Sequence, residues 1–329
     1  MNILLRKTWF PIAFKTEFSE FNALPRRVAT QSIILTKSND QIAGFFNVCR
    51  HRGSELLTVE KKCNAIVCPY HSWVYSLDGK LKKTPMASIQ NKDLYSLNVV
   101  EHGGIVFGTR AEMLDHPMKF YDGAFRDLVG YPIDELVVAR KDSFNVKANW
   151  KLLIENFSEF YHLNAVHPTL RSISKIHDHR CTQKKGHYIG FETNPLSTIG
   201  TPFDASYLSE MPRRAEKFGN KAVFHSFFPN MFWFVMPSHV FVVILDPISV
   251  DLTKEHVFLL THLDALSDDD KIQNIWQMYE KINREDFEVC EGVQRGLMND
   301  VHAHGILVGG MEETINRYHQ MYRDLMGMQ

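Results

Sequence analysis

Cys49-Arg50-His51, followed after sixteen residues by Cys68-Pro69-Tyr70-His71, is the stretch on which the reading of this chain turns. Each short segment brings one thiol and one imidazole. The flanks are Arg52-Gly53 after the first and Ser72-Trp73 after the second. Glycine and proline at these places bend the backbone, so each pair belongs to a loop. Around the loops lie short runs of β-forming residues: Ser32–Leu35, Ala43–Val48, Ala65–Val67, Trp73–Ser76 and Gly104–Phe107. Turn residues separate them (Ser38-Asn39-Asp40, Asp78-Gly79, Gly103-Gly104), which predicts a small antiparallel barrel or sandwich. Asp78-Gly79 predicts a hairpin between Trp73–Leu77 and Lys80–Leu81. Both Cys/His loops are expected at hairpin tips, facing each other.

Two thiolates can hold one iron of a sulfide-bridged pair, while two neutral imidazoles on the other iron raise the reduction potential. Cys49, His51, Cys68 and His71 therefore read as the ligands of a Rieske [2Fe–2S] centre. Zinc also takes two Cys and two His, but its sites pair Cys with Cys and His with His at wider spacing. Cys63, Cys181 and Cys290 have no such company and read as small buried hydrophobes. Five scattered cysteines argue against a disulfide scaffold and for a reducing compartment. Met1–Phe14 lacks the apolar run of a secretory signal, so a cytoplasmic protein is expected. A net charge of -1 offers no electrostatic attraction to nucleic acid or an anionic membrane. The most apolar tract, Phe224–Leu245, is broken by Pro229, Asn230, Pro237, Ser238 and His239; it predicts two strands and a turn, not a membrane span.

The tract Met113–Tyr131 carries Pro117, Gly123 and Gly130, and the domain change is placed there, giving residues 1–118 and 119–329. Beyond it, Asn149–His162 has Trp150, Leu153, Ile154, Phe157 and Tyr161 at helical spacing. Residues 187–263 return to strands. Ser267-Asp268-Asp269-Asp270 then supplies an N-cap and an acidic first turn. The amphipathic helix after it carries Ile272, Ile275, Trp276, Tyr279 and Ile282 on one stripe. The fold class is α+β: a small all-β domain, then an α+β domain with helices around an antiparallel sheet.

The second half holds another constellation, Glu155-Asn156-Phe157-Ser158-Glu159-Phe160-Tyr161-His162, with His167-Pro168 four residues on. On a helix Glu159 and His162 share a face. His167 would point around the cylinder, but a residue before proline is pushed out of the α region. The helix is therefore expected to end or bulge near His167, bringing its ring beside that of His162. Two imidazoles and one carboxylate make the facial triad of non-haem Fe(II), with positions left for dioxygen. The best local source of the carboxylate is Asp286 in Arg284-Glu285-Asp286-Phe287-Glu288. Spacing does not separate it from Glu285, Glu288 or Glu291.

Together these motifs resemble the Rieske non-haem iron oxygenase α subunits, over nearly the whole chain. The resemblance implies a terminal oxygenase with a [2Fe–2S] cluster and a mononuclear Fe(II), using O2 and electrons from a separate NAD(P)H-dependent reductase. It implies Asp286 as the third iron ligand, because the family's carboxylate sits in a stretch similar to Glu285-Asp286-Phe287-Glu288 followed by Gln294-Arg295-Gly296-Leu297. It places Glu159 at the family's bridge, linking His71 of the adjacent protomer to His162 within a homotrimer. Glu at the bridge, the Glu155-Asn156-…-Glu159 spacing, Phe228-Pro229-Asn230-Met231-Phe232 and the tract through Tyr322 resemble the branch acting on quaternary ammonium compounds such as glycine betaine, carnitine or stachydrine. The implied reaction is hydroxylation or N-demethylation of such a small molecule. The alternatives are monooxygenation, O-demethylation or dioxygenation of an aromatic compound, and an electron carrier whose second domain has lost its iron. Both histidines and the acidic bridge argue against the last. Trp233, Phe232 and Tyr207 are named for the substrate, since aromatic faces attract a methylated cation. Strand alternation aims Met231 and Trp233 to one face, Phe232 and Phe234 to the other.

Overall fold

The computed structural model describes residues 2–182, 185–196, 207–208, 211–212, 214–301 and 305–328. The chain divides into two units, Met1–Pro117 and Met118–Gln329.

The first unit holds nine strands: β1 (Phe10–Phe14), β2 (Ala23–Val28), β3 (Gln31–Ser38), β4 (Gln41–Phe46), β5 (Ala65–Val67), β6 (Val74–Ser76), β7 (Leu81–Lys83), β8 (Ser96–His102) and β9 (Ile105–Thr109). Six form an antiparallel sheet in the order β1-β9-β8-β4-β3-β2, and β5-β6-β7 form a second. Sequence patterning overlooked β1 and β2, which carry Pro11 and Pro25. Both are edge strands, where a missing N–H disrupts no ladder. Asp78-Gly79 turns β6 into β7 as expected, with Gly79 at φ +77°. The second Cys/His loop sits at the tip of the β5–β6 hairpin. The first does not: residues 47–64 join β4 to β5, strands of different sheets. Buried Asn47 shapes that loop in place of strand pairing. Its amide donates to the Leu57 carbonyl (2.6 Å), and its oxygen accepts from the Leu56 and Leu57 N–H groups (3.0 Å each).

The second unit is built on a seven-stranded antiparallel sheet. Its strands are β10 (Val137–Val146), β11 (Arg180–Cys181), β12 (Tyr188–Thr193), β13 (Ala222–Phe227), β14 (Met231–Val235), β15 (His239–Pro247) and β16 (Thr253–Thr261). Their order is β10-β16-β15-β14-β13-β12-β11. Phe224–Leu245 therefore forms parts of three strands, not two. Pro229 and Pro237 cannot donate to a ladder, so each ends a strand, and the five residues of β14 between them pair on both sides.

Seven helices are described: α1 (Pro117–Phe120), α2 (Asp122–Asp127), α3 (Trp150–Phe157), α4 (Leu163–Val166), α5 (Pro168–Arg171), α6 (Asp269–Leu297) and α7 (Glu313–Met326). Asn149 caps α3, accepting from the Lys151 N–H at 3.1 Å. The helix stops at Phe157 rather than running on to His162, and the Ser158 hydroxyl meets that of Ser226 on β13 at 2.8 Å. Ser267 does not cap α6 either; its hydroxyl donates back to the Asp264 carbonyl (3.0 Å), and the helix begins after Asp268. The stripe Ile272, Ile275, Trp276 and Tyr279 is buried. Cys290 is buried as expected, Cys63 is half-buried, and Cys181 is exposed because it lies on the short edge strand β11. Among the described residues no helix is long and apolar enough to cross a membrane.

Candidate active site

The two Cys/His loops repeat one backbone pattern. In the first, the Cys49 N–H donates to Ser54 O (2.8 Å) and the Gly53 N–H to Cys49 O (3.1 Å). In the second, the Cys68 N–H donates to Trp73 O (2.8 Å) and the Ser72 N–H to Cys68 O (3.1 Å). Gly53 (φ +77°) and Ser72 (φ +54°) both take the left-handed conformation that closes such a turn. The two thiols are buried, whereas His51 is exposed and His71 half-exposed. The two imidazole centroids are 4.5 Å apart, and His51 stacks on Trp73 at 4.9 Å. The Tyr75 hydroxyl lies 3.5 Å from Cys49 Sγ and accepts from the Arg50 N–H at 3.1 Å. Burial raises the Cys68 thiol, yet the backbone N–H groups of His71 and Tyr70 overcome this and hold it below its ordinary value. Desolvation, then the neighbouring His51 and Arg52, lower the His71 imidazole. A thiol eased toward ionisation at Cys68 and an imidazole held toward its neutral form at His71 are the protonation states that an iron–sulfur pair requires.

In the second unit the structure brings His162, His167 and Asp286 together, with one ligand atom of each within 4.8 Å of the others. The helical continuity expected between Glu159 and His162 is absent; a five-residue break, 158–162, separates α3 from α4. Glu159 meets His162 all the same, by folding its side chain over the turn. Its Oε2 accepts from the Tyr161 and His162 N–H groups, and its Oε1 pairs with His162 Nδ1. A carboxylate thus closes the turn that carries His162 ahead of α4. His167 lies at φ −113°, ψ 86°, outside the α region, and Pro168 opens α5 as its first residue. The two rings end 5.2 Å apart. Asp286 Oδ1 is 3.1 Å from His167 Nε2 and 3.6 Å from His162 Nε2.

Glu285 performs a different task from its neighbour. Its Oε2 meets His167 Nδ1 at 2.9 Å, so both imidazoles have a carboxylate on Nδ1 and turn Nε2 toward Asp286. Such partners set the tautomer and raise ligand basicity. Asn156 donates to Asp286 Oδ1 at 2.8 Å. Burial lowers the His167 imidazole, but Asp286 and then Glu285 raise it further, for a net upward shift. Reading the sequence had placed Glu285 only as a rival ligand and had given Asn156 no role. The signal for both was the clustering of acid and amide around the quoted motifs.

These groups form one wall of a cavity of about 120 Å³. A cross-strand row of aromatics makes the opposite wall: Phe191 opposite Phe224, Phe224 opposite Phe234 and Phe234 opposite Phe241. The rings stack, with 4.3 Å between the centroids of Phe191 and Phe224, and again between Phe224 and Phe234. Phe157 stacks on Phe232 at 3.9 Å and Tyr279 on Phe241 at 4.5 Å. Phe232 lines the cavity, but the other two residues named for the substrate do not. Trp233 points to the far face, where its indole donates to His225 Nδ1 at 3.1 Å and it is wholly buried. The Tyr207 hydroxyl accepts from Asn274 at 2.8 Å, outside the cavity lining. Glu255, which sequence reading missed, is 1% exposed and lines the cavity. Asn283 donates to its Oε2 at 2.7 Å. Burial, followed by the charge of Asp286, pushes this carboxyl up to about 8 despite that bond. The overlooked signal was an acid in phase with Thr253, Val257 and Leu259 along β16.

Fold and side chains together describe a protein that stores single electrons in one domain and spends them at an iron in the other. Residues 133–328 match the catalytic domain of the ring hydroxylating alpha subunit, and residues 8–94 match the Rieske [2Fe-2S] domain. The chain belongs to this family of Rieske non-haem iron oxygenases, which use O2, a [2Fe–2S] cluster, a mononuclear iron, a reductase and a small-molecule substrate. It is 26% identical to the carnitine monooxygenase oxygenase subunit of Acinetobacter baumannii, over 96% of this chain and 90% of that protein. It is 27% identical to the glycine betaine monooxygenase oxygenase subunit of Pseudomonas aeruginosa, over 93% and 80%. Its fold matches the crystal structure of the quaternary ammonium Rieske monooxygenase CntA with a TM-score of 0.81 at 22% identity, covering 97% of this chain and 89% of that one.

Proposed function

We propose that the chain hydroxylates or N-demethylates a small quaternary ammonium compound of the betaine type. The observation that carries this reading is similarity along almost the entire chain to two relatives named for carnitine and glycine betaine. The cavity fits it: predominantly apolar, and free of Lys and Arg among its described lining residues.

In this reading Cys49, His51, Cys68 and His71 hold the cluster, while His162, His167 and Asp286 hold the mononuclear iron. When bound, these groups supply single electrons and activate O2, so that one oxygen atom enters a C–H bond. The chain's own residues set the conditions. Glu159 and Glu285 keep the Nδ1 protons, leaving Nε2 of His162 and His167 free to ligate. Asn156 occupies one lone pair of Asp286 Oδ1 and aims the carboxylate. The phenylalanine row excludes water and confines the substrate beside the triad. An N-methyl carbon hydroxylated there leaves as formaldehyde. Glu159, itself 9% exposed but next to exposed Tyr161, is in this reading the residue that reaches His71 of a neighbouring subunit in a trimeric ring. Replacing Glu159 by Gln should weaken iron binding no more than Glu285→Gln does and, with both metals loaded, abolish coupled turnover; near-normal activity would place the bridge elsewhere.

The deciding experiment is formaldehyde release by holoenzyme and reductase with glycine betaine, carnitine, γ-butyrobetaine and a set of methoxyarenes. Turnover of no betaine overturns the reading. A small aromatic substrate is the second reading, favoured by a cavity comparable to the roughly 150 Å³ that accepts benzene. An electron carrier without mononuclear iron would show two irons per chain in place of three.

A further inference from the structure

The acids lining the cavity are Glu159, Glu255 and Asp286, among the described residues. Glu159 and Asp286 are engaged by the histidine pair. Glu255 is not. It projects from the inward face of β16, between Phe144 on β10 and Leu245 on β15. Its hydrogen-bond donor, Asn283, is neutral, and no Lys or Arg stands among the described lining residues. A carboxylate taken this far out of water needs a positive partner to be worth ionising. The described lining offers no permanent cation: His162 and His167 turn to Asp286, and burial lowers the His179 imidazole, so that partner has to arrive with the ligand.

Much of the aromatic wall is already engaged. Phe224 has a ring stacked on either side, Phe157 covers one face of Phe232, and Tyr279 one face of Phe241. Faces occupied by other rings are unavailable to a cation, and ring edges carry the positive end of the quadrupole. The phenylalanines supply shape and dryness, and a full negative charge is the stronger attraction for a cation.

We propose that Glu255 is the residue that recognises the substrate's ammonium group and thereby selects which carbon is presented for oxidation. The proposal rests on the reading of the substrate as a quaternary ammonium compound. Asn283 and Asp286 are three residues apart on α6, hence neighbours on one helix face. Asn283 holds the Glu255 carboxylate at 2.7 Å, which fixes the anchor about one helical turn from the triad. A trimethylammonium head paired with Glu255 has its methyl carbons next to the triad. A carboxylate at the other end of the same molecule is driven away from Glu255 by like charge. Orientation follows from sign as well as from shape.

The test pairs each betaine with a carbon isostere of the same shape that lacks the cationic centre: glycine betaine with 3,3-dimethylbutyrate, and γ-butyrobetaine with 5,5-dimethylhexanoate. Dissociation constants are measured by calorimetry on iron-loaded wild-type, Glu255→Gln and Glu255→Asp enzymes, alongside iron content and formaldehyde release. Wild type should prefer the ammonium member by about tenfold or more, as expected for a buried charge pair. Glu255→Gln, which keeps the Asn283 bond, should retain its iron and lose most of that preference; Glu255→Asp should keep part of it. An undiminished preference in Glu255→Gln overturns the proposal, as does a lowered turnover with unchanged preference, which would make the carboxyl a proton source instead. Should the Gln variant not fold, the Asp variant decides: weakened ammonium binding with unchanged isostere binding supports the anchor, and equal change in both overturns it. Wild type that turns over neither betaine refutes the substrate reading itself, a result visible without any variant.

Discussion

Adjacent residues 285 and 286 do separate jobs because a helix turns about 100° per residue. Asp286 faces Nε2 of both histidines, and Glu285 faces Nδ1 of one of them. Replacing Asp286 by Ala should remove the mononuclear iron and leave the cluster's visible absorption intact; joint loss of both signals would refute two independent centres. Replacing Glu285 by Gln should weaken iron binding roughly 10- to 100-fold without abolishing it, measured by metal competition. His239 makes a prediction of another kind. It is buried, its Nε2 is 2.9 Å from the Tyr279 hydroxyl and its Nδ1 3.0 Å from the Ser238 hydroxyl, and burial lowers its imidazole to about 3. Its folded value lies below its unfolded one, so between about pH 6.5 and 3 the unfolded chain binds the extra proton. Stability should therefore fall as pH drops through that window, with this residue contributing up to about 1.4 kcal/mol per pH unit. Urea titrations at several pH values should show a flatter acid decline in His239→Asn than in wild type.

The break between α3 and α5 is the element that makes the triad. A continuous helix through 150–171 would set His162 and His167 about 140° apart around its axis. Ser158, the Glu159-closed turn and Pro168 interrupt it three times within eleven residues. Pro168→Ala restores an N–H at residue 168 and frees residue 167 to take helical dihedrals, which should let α4 run into α5. The expected result is weaker mononuclear iron binding with an unchanged cluster spectrum; unchanged iron affinity would show that packing alone holds His167. Periodicity in 149–162 suggested one helix because its apolar residues are correctly spaced, yet Ser158 prefers its bond to Ser226 on β13. Local pattern was overridden by a partner 68 residues away. Alternation served better on β14, where it separates Phe232, in the cavity, from Trp233, on the far face.

At the scale of the molecule, the proposed route for electrons runs from the cluster of one chain to the iron of its neighbour. Two inactive variants, Asp286→Ala and Cys68→Ser, should then recover part of the activity when co-expressed, because a mixed ring contains neighbouring intact cluster and iron. Failure of the mixture to rise above either parent, with assembly verified by sedimentation, would rule out transfer between subunits. The seven-stranded sheet and α6 give the second unit its rigidity: β16 carries Glu255, α6 carries Asn283 and Asp286, and the space between them is the cavity.

By itself the amino-acid order determined the chemistry that depends on a few bonds of chain: Cys49 with His51, Cys68 with His71, and the turn before Pro168 that moves His167. These are short-range matters, since backbone sterics reach only a residue or two. Tertiary structure alone decided which acid of the 285–291 stretch meets the histidines, that Glu255 and Asn283 share the same cavity, and that Trp233 and Tyr207 stand outside it. Those contacts join segments from 28 to more than a hundred residues apart, or concern opposite faces of one sheet. Helix phase, strand register and packing settle them, and none of the three is written in local spacing.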